Sequence, residues 1–314
     1  MHLVTFQRRR AQKIGAAWHG AILDLRALST ELSLQRGGRG ARFPATSLEL
    51  IRGGPECWAA VRRIFDYGRG LVDAQDLDVL SRRGVAYPEK KVRLLAPIPR
   101  PARNIFCMGR NYAEHAAERG AQVPDRPVFF TKPSTTVIGP GAGIVHHPCT
   151  TQLDYEAELA VVIGRGGRDI SREAALDHVF GYMNLNDVTA RDLQRAHQQW
   201  FKGKSLDTFC PTGPALVTAD EIPDPQRLGI ELRVNGRVRQ SASTAQMVFD
   251  VASLIEVLSM GMTLEPGDVI ATGTPSGVGA ATGEFLKVGD VVEVEVEGLG
   301  CLVNHVVALT AVDA

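Results

Sequence analysis

The sequence predicts an α+β fold that is mainly β, an antiparallel sandwich or barrel-like roll preceded by a small N-terminal α+β domain. Three observations carry that expectation. Asn235-Gly236 separates two strand-like runs, Glu231–Val234 and Arg237–Gln240, which is a strong two-residue hairpin signal. Val292, Val294 and Val296 alternate with Glu293, Glu295 and Glu297, the period of a strand with one wet face. Short strand-like runs outnumber helical stripes, and they do not alternate with helices as a parallel βα sheet requires.

The elements follow in order. Residues 1–95 form the small N-terminal domain, with strands expected at Met1–Phe6 and Ala21–Leu25, a loop at Gly37-Gly38-Arg39-Gly40, and a helix over Pro55–Gly68. That helix places Trp58, Val61, Ile64 and Phe65 at helical spacing. Pro97, Pro99 and Pro101 stiffen residues 96–102 into a linker, because each proline fixes its own backbone and extends its predecessor. Residues 103–314 form the second, larger domain. Within it Asp250 can cap a helix over Val251–Met260 whose Val251, Leu254, Ile255 and Leu258 share one stripe, with Gly261 to end it. Gly298-Leu299-Gly300 turns the Val292–Glu297 strand into another at Cys301–Ala308.

Composition excludes several classes. The 314 residues carry 35 basic and 35 acidic side chains, so there is no charge excess with which to track nucleic acid or anionic lipid. No apolar run approaches the ~18–20 residues of a membrane span. Apolar residues precede the arginines in Met1–Arg10, the reverse of a secretory signal. Five scattered cysteines without a C-x-x-C pair argue against a disulfide framework or structural zinc. They read as small buried hydrophobes in a cytoplasmic protein. Gly203-Lys204-Ser205 resembles a P-loop end, but Gln198 stands where its first glycine belongs, and no G-x-G-x-x-G occurs. A nucleotide cofactor is not indicated.

The chemistry concentrates in Leu153–Gly164. As a strand, this segment puts Glu156 and Glu158 on one face, continued by Ala160 and Val162, while Ala157, Leu159, Val161 and Ile163 make the other face apolar. A strand apolar on both faces is buried. The Glu293-Glu295-Glu297 ladder has the same spacing, but its face stays charged and meets water. Two carboxylates entering a low-dielectric region each cost several kcal/mol, roughly, if unpaired. Either Arg or Lys partners or a metal can resolve that, and oxygen-only ligands favour a hard ion, Mg²⁺ first, with Mn²⁺ or Ca²⁺ possible. Asp187 supplies a third carboxylate, or else a helix cap.

Other segments carry reactive side chains. His115 and Glu118 stand three apart, so on a helix the carboxylate can orient the imidazole as a base; the alternative is an exposed helix pair. Arg191 and Gln194 share a face if their segment is helical. Lys204 lies among small residues that let a ligand approach, unless it is a solvated surface lysine. Thr272–Gly279 is a glycine-rich turn whose amides could hold a carboxylate. His146, His147 and Cys149 lie near the first acidic position and read as loop or supporting residues.

In this order, G-R-N-Y-x-x-H-x-x-E at 109–118, F-x-K-P at 130–133, D-Y-E-x-E-L at 154–159, D-V-T-A-R-D-x-Q at 187–194, G-K-S-x-D at 203–207 and G-T-P-x-G-V-G at 273–279 resemble the fumarylacetoacetate hydrolase family, over roughly residues 103–308. The resemblance implies a mixed β-roll, a homodimer and a divalent ion on Glu156, Glu158 and Asp187. It implies His115 and Glu118 as an acid–base dyad on a short lid, Lys204, Arg191 and Gln194 as groups that stabilise charge or hold substrate, and Thr274 on a substrate carboxylate. Larger members carry a fourth metal carboxylate where Met108 stands here. The implied reaction is hydrolysis of a C–C bond in a 2,4-dioxo acid, an acylpyruvate or fumarylpyruvate, through a metal-stabilised enolate. The alternatives are decarboxylation of oxaloacetate-like acids, isomerisation of 2-hydroxy-diene dioates, or a metal- and acid-binding homodimer without turnover.

Overall fold

A computed structural model of the protein describes residues 1–35, 43–118, 120, 122 and 124–309; the glycine-rich loop expected at 37–40 lies outside them. One large mixed sheet runs in the spatial order Ala86–Pro88, Ala21–Asp24, Ala11–Trp18, His2–Arg8, Cys210–Thr218, Val179–Asn186, Ala157–Ile163, Val269–Ala271, Ile105–Gly109, Val128–Lys132. Strands from both sides of the proline segment therefore share it, joined where His2 pairs with Val217 and Leu3 with Leu216. A second sheet stacks Arg237–Ser243, Gly229–Val234, Val291–Val296, Cys301–Ala308 and Gly143–His146.

The strand Ala157–Ile163 is buried along its whole length, and the reason is visible in its period of two. Leu159, Val161 and Ile163 face a core shared with Ile230, Leu232, Val294 and Val296 of the second sheet. Ala160 and Val162 face a second core built with the N-terminal helices, including Leu28, Ile51, Val61 and Phe65. The central strand is thus covered on one face by a sheet and on the other by helices, and Glu158 begins the helix-facing stripe.

Several local expectations hold. Asn235 and Gly236 adopt φ of +53° and +73°, the left-handed pair that a tight hairpin requires, and Val234 pairs with Arg237 across them. Val291–Val296 alternates partly exposed glutamates with buried valines, and Arg233 on the neighbouring strand meets Glu295 at 3.3 Å. The helix Val251–Ser259 starts at Asp250, whose side chain accepts from the Ser253 N–H.

Two differ. The helix expected to stop at Gly68 runs from Gly54 to Ala74. Gly68 is a packing contact, since a Cβ there would sit 2.6 Å from Leu28 Cδ1, so the glycine lets two helices approach instead of ending one. The cysteines are free, and Cys107 and Cys210 are buried as expected, but Cys149 is exposed on the turn after Gly143–His146. No described helix is long and apolar enough to cross a membrane.

The two sheets are tied by a buried amide. Asn184 donates from Nδ2 to the Gly300 carbonyl and accepts at Oδ1 from the Val296 N–H, each at 2.8 Å. Asn184→Leu keeps the branched shape and orphans both backbone groups, at about 1–3 kcal/mol each. The urea midpoint should fall accordingly with the slope unchanged. An unmoved midpoint would show that the sheets are joined without this amide.

Candidate metal centre and acid–base site

The register of two strands assembles the acidic cluster. Ala157 pairs with Asn186 in the main sheet, and the short pair Leu153–Asp154 with Thr189–Ala190 continues the same antiparallel course. Between these ladders the Asp187 N–H donates to the Glu156 carbonyl at 2.8 Å. Asp187 therefore sits opposite Glu156, and Glu158 follows two residues on. One carboxylate oxygen from each of Glu156, Glu158 and Asp187 lies within 4.8 Å of the other two, and all three residues are buried.

Cations answer only part of this charge. Lys204 Nζ donates to Glu156 Oε2 at 2.8 Å and to Asp187 Oδ2 at 2.6 Å. Lys132 Nζ donates to Asp187 Oδ1 at 2.6 Å and to the Val188 carbonyl. Arg191 Nε donates to Asp154 Oδ2, and its Nη2 lies 2.7 Å from Glu156 Oε1 without good hydrogen-bond alignment, so that pairing is chiefly coulombic. Burial would raise the Glu156 carboxyl, but Lys204 and Arg191 outweigh it and hold it well below the usual carboxylate range. Burial alone would likewise lower Lys204, yet Asp187 and Glu156 keep its ammonium charged.

Glu158 is different. Its Oε2 accepts from the Gly273 N–H at 2.7 Å, and no lysine or arginine pairs with it among the described residues. Burial first, then the Asp187 and Glu156 charges, push its carboxyl well above the ordinary range. The sequence left open metal or basic partners. Basic partners are present, and they leave one carboxylate of a buried, all-oxygen trio without a counter-charge. That donor set fits a hard divalent ion.

The dyad lies beside it. His115 and Glu118 share the helix Ala113–Glu118, with Nδ1 2.8 Å from Oε1, and His115 is buried. The other Glu118 oxygen accepts from the Gly277 N–H at 2.9 Å, which fixes the carboxylate that fixes the imidazole. Asn111, one turn earlier, donates to the Phe249 and Thr272 carbonyls and accepts from the Phe249 N–H, pinning the start of this segment. His115, Glu156, Arg191, Gln194, Lys204 and Thr274 all line one cavity of about 400 Å³, with Met108 also on its wall. Every expected substrate-binding residue is thus brought to one place.

Some expectations change in detail. Lys204 is fully buried, not a solvated lysine. Gly203 serves packing: a Cβ there would meet Gln194 N at 2.5 Å and the Ala190 carbonyl oxygen at 2.7 Å, so the glycine lets Phe201–Lys204 seat against the helix Arg191–Ala196. The amides of the glycine-rich turn hold the protein's own carboxylates. Gly273 takes Glu158, Gly277 takes Glu118, and Gly279 and Ala280 take Asp154. Asp187 caps no helix, since the N-cap of Arg191–Ala196 is Ala190. His146, His147 and Cys149 are not on the cavity wall; His147 instead meets the Asp207 carbonyl at 3.1 Å.

Sequence reasoning missed Asp154, Lys132 and Gln240 as working parts. Asp154 orients Arg191, and Lys132 neutralises Asp187. Gln240 donates to Thr274 Oγ1 at 2.8 Å, leaving the threonine O–H free to donate into the cavity. The first two were visible as the opening residue of D-Y-E-x-E-L and the lysine of F-x-K-P. Gln240 carried no local signal.

Residues 104–307 match the family description Fumarylacetoacetate (FAA) hydrolase C-terminal. The oxaloacetate tautomerase YisK of Bacillus subtilis (strain 168) is 48% identical over 269 residues, covering 84% of this chain and 87% of that protein. A fumarylacetoacetate hydrolase from psychrophilic Exiguobacterium antarcticum superposes with a TM-score of 0.79 at 42% identity, covering 98% of this chain and 100% of that one. Maleylpyruvate hydrolase from Sphingobium sp. SYK-6, in complex with manganese(II) ion and pyruvate, gives 0.71 at 32% identity, covering 99% and 100%. The motifs, the fold and these likenesses agree, and the chain belongs to the fumarylacetoacetate hydrolase family of enzymes.

Proposed function

We propose that the protein interconverts the enol and keto forms of a small 2-oxo acid, with oxaloacetate as the substrate class, at a site that takes a divalent ion on Glu156, Glu158 and Asp187. The observation that carries this reading is His115, oriented by Glu118, lining one small cavity together with Glu156, the member that opens onto it of a buried carboxylate trio lacking a full set of cations. The tautomerase relative supports it from outside the chain. A bound Mg²⁺ or Mn²⁺ would supply Lewis-acid stabilisation of negative charge on the C2 oxygen.

The chain's own groups do the rest. Lys204 spends two of its three donors on Glu156 and Asp187, which leaves one to face a substrate oxygen. Arg191, held by Asp154, adds fixed positive charge where water is scarce and charge counts most. The Thr274 hydroxyl and the Gln194 amide can hold the C1 carboxylate. In the enol-to-keto direction the C2 hydroxyl loses its proton and C3 gains one. His115, oriented by Glu118, moves the proton at C3.

Hydrolysis, the first expectation from the motifs, is the second reading. The same imidazole could activate water toward a C4 carbonyl, and the maleylpyruvate hydrolase that holds manganese(II) ion and pyruvate favours keeping it. Following enol absorbance and pyruvate release together separates the two. Enol loss without pyruvate from an acylpyruvate supports tautomerisation, and stoichiometric pyruvate supports cleavage.

Two variants test the roles. His115→Ala should lower turnover on the order of 10²–10⁴-fold while Mg²⁺ still binds; unchanged turnover would remove His115 from proton transfer. An ion at 100 times its Kd stabilises by about 2.7 kcal/mol, so Mg²⁺ or Mn²⁺ should raise the wild-type melting temperature by several degrees. Glu158→Gln should abolish that rise, and a full rise in this variant would place the ion elsewhere.

A further inference from the structure

The cavity wall carries two further arginines, Arg110 and Arg195, to which the proposed reaction assigns no role. Arg110 follows the strand Ile105–Gly109 with φ +58°, a left-handed backbone that a non-glycine residue adopts at some cost. Its exposed side chain lies over the Trp200 ring, with the guanidinium carbon 5.5 Å from the centroid, and no carboxylate lies in ion-pair range of it among the described residues. Trp200 is itself fixed. It meets Phe130 edge to face at 5.4 Å, and it fills the space beside Gly109, where a Cβ would come within 2.3 Å of the indole. A packed aromatic ring thus supports, on the cavity wall, a guanidinium with no ion-pair partner among the described residues, in a backbone geometry that the surrounding packing must impose. Arg195 lines the same mouth, but its guanidinium is engaged by the Gln152 side chain.

We propose that Arg110 is the specificity-determining residue for a far carboxylate. It takes the C4 carboxylate of a four-carbon 2-oxo diacid whose C1 end faces the acidic cluster, and so sets a preference for diacids over monoacids. The inference rests on the reading of the cavity as a 2-oxo acid site. The guanidinium fork matches a carboxylate in two parallel hydrogen bonds, and it needs no local partner to be displaced first. The aromatic wall excludes water from one side of the pair, which strengthens it relative to an open surface contact.

Calorimetric titration of the magnesium-loaded protein with oxaloacetate and with 2-oxobutanoate tests this, because the two acids share a four-carbon skeleton and differ in the far carboxylate. Wild type should prefer oxaloacetate. Arg110→Asn, chosen because asparagine tolerates positive φ, should reduce that preference on the order of 10–100-fold, the worth of a charge-assisted hydrogen bond. Arg110→Lys should keep part of it, which also answers any folding defect in the asparagine variant. A preference that survives Arg110→Asn, or that moves only in Arg195→Gln, overturns the assignment. If wild type turns over neither acid yet Arg110 still governs binding preference, the proposed activity fails and the assignment stands. If wild type turns over enol but binds the two acids equally, the assignment fails and the activity stands. Binding of neither acid overturns both.

Discussion

The structure depends on one electrostatic constraint: more carboxylates are buried around Asp187 than the surrounding cations neutralise. Asp154, Glu156, Glu158 and Asp187 face Arg191, Lys204 and Lys132, four acids against three bases, and all seven side chains are almost wholly buried. Desolvated charge of this kind is tolerated only when each oxygen has a partner. The imbalance falls on Glu158, whose charge is opposed by its neighbours and relieved by one backbone amide. The cluster is one positive charge short among these seven side chains, and hydrophobic packing alone would never collect them.

That constraint explains why the turn after Val269–Ala271 is so rich in glycine. Its amides reach three different carboxylates, one in the acidic trio, one behind His115 and one behind Arg191. A chain that presents successive N–H groups in diverging directions must leave ordinary backbone geometry, and Gly273 and Gly277 have φ of +97° and +101°. Side chains there would also collide, since a Cβ on Gly277 would meet the Arg239 carbonyl oxygen at 2.1 Å. The turn is therefore a hub for the protein's own charges. Glu158, the Glu118 that holds His115, and the Asp154 that holds Arg191 are set by one segment, so distortion of that segment would disturb all three together.

Much of this was legible because local period and spacing report local geometry. The two-sided apolarity of Ala157–Ile163 announced a buried strand, and two glutamates at its start announced chemistry. The three-residue spacing of His115 and Glu118, and of Arg191 and Gln194, became real side-chain contacts because both pairs lie on helices. What could not be read were partners far apart in sequence. Nothing near Asp154 indicates Arg191, nothing near Gln240 indicates Thr274, and nothing in the first strand indicates that it continues the sheet through Val217. Glycines were the least legible residues: Gly68 and Gly203 read as a helix stop and a ligand approach, and both are close packing contacts. A missing side chain marks that something comes near without saying what.

The floor and the mouth of the cavity follow different rules for a related reason. Beneath the cavity, Asp154 is paired with Arg191 and Lys132 with Asp187, so a change at Asp154 or Lys132 strands a buried charge and is felt throughout the cluster. At the mouth, Arg110 lies over Trp200 and Arg195 meets Gln152, and neither is paired with a member of the buried acidic cluster. Tautomerisation, decarboxylation and hydrolysis all draw on negative charge developing at the same substrate oxygen, so the floor can serve each of them. Under the proposed assignment, discrimination among substrates falls to the mouth, and there the motif at 109–118 supplies Arg110 while carrying no sign of the Trp200 ring it lies over.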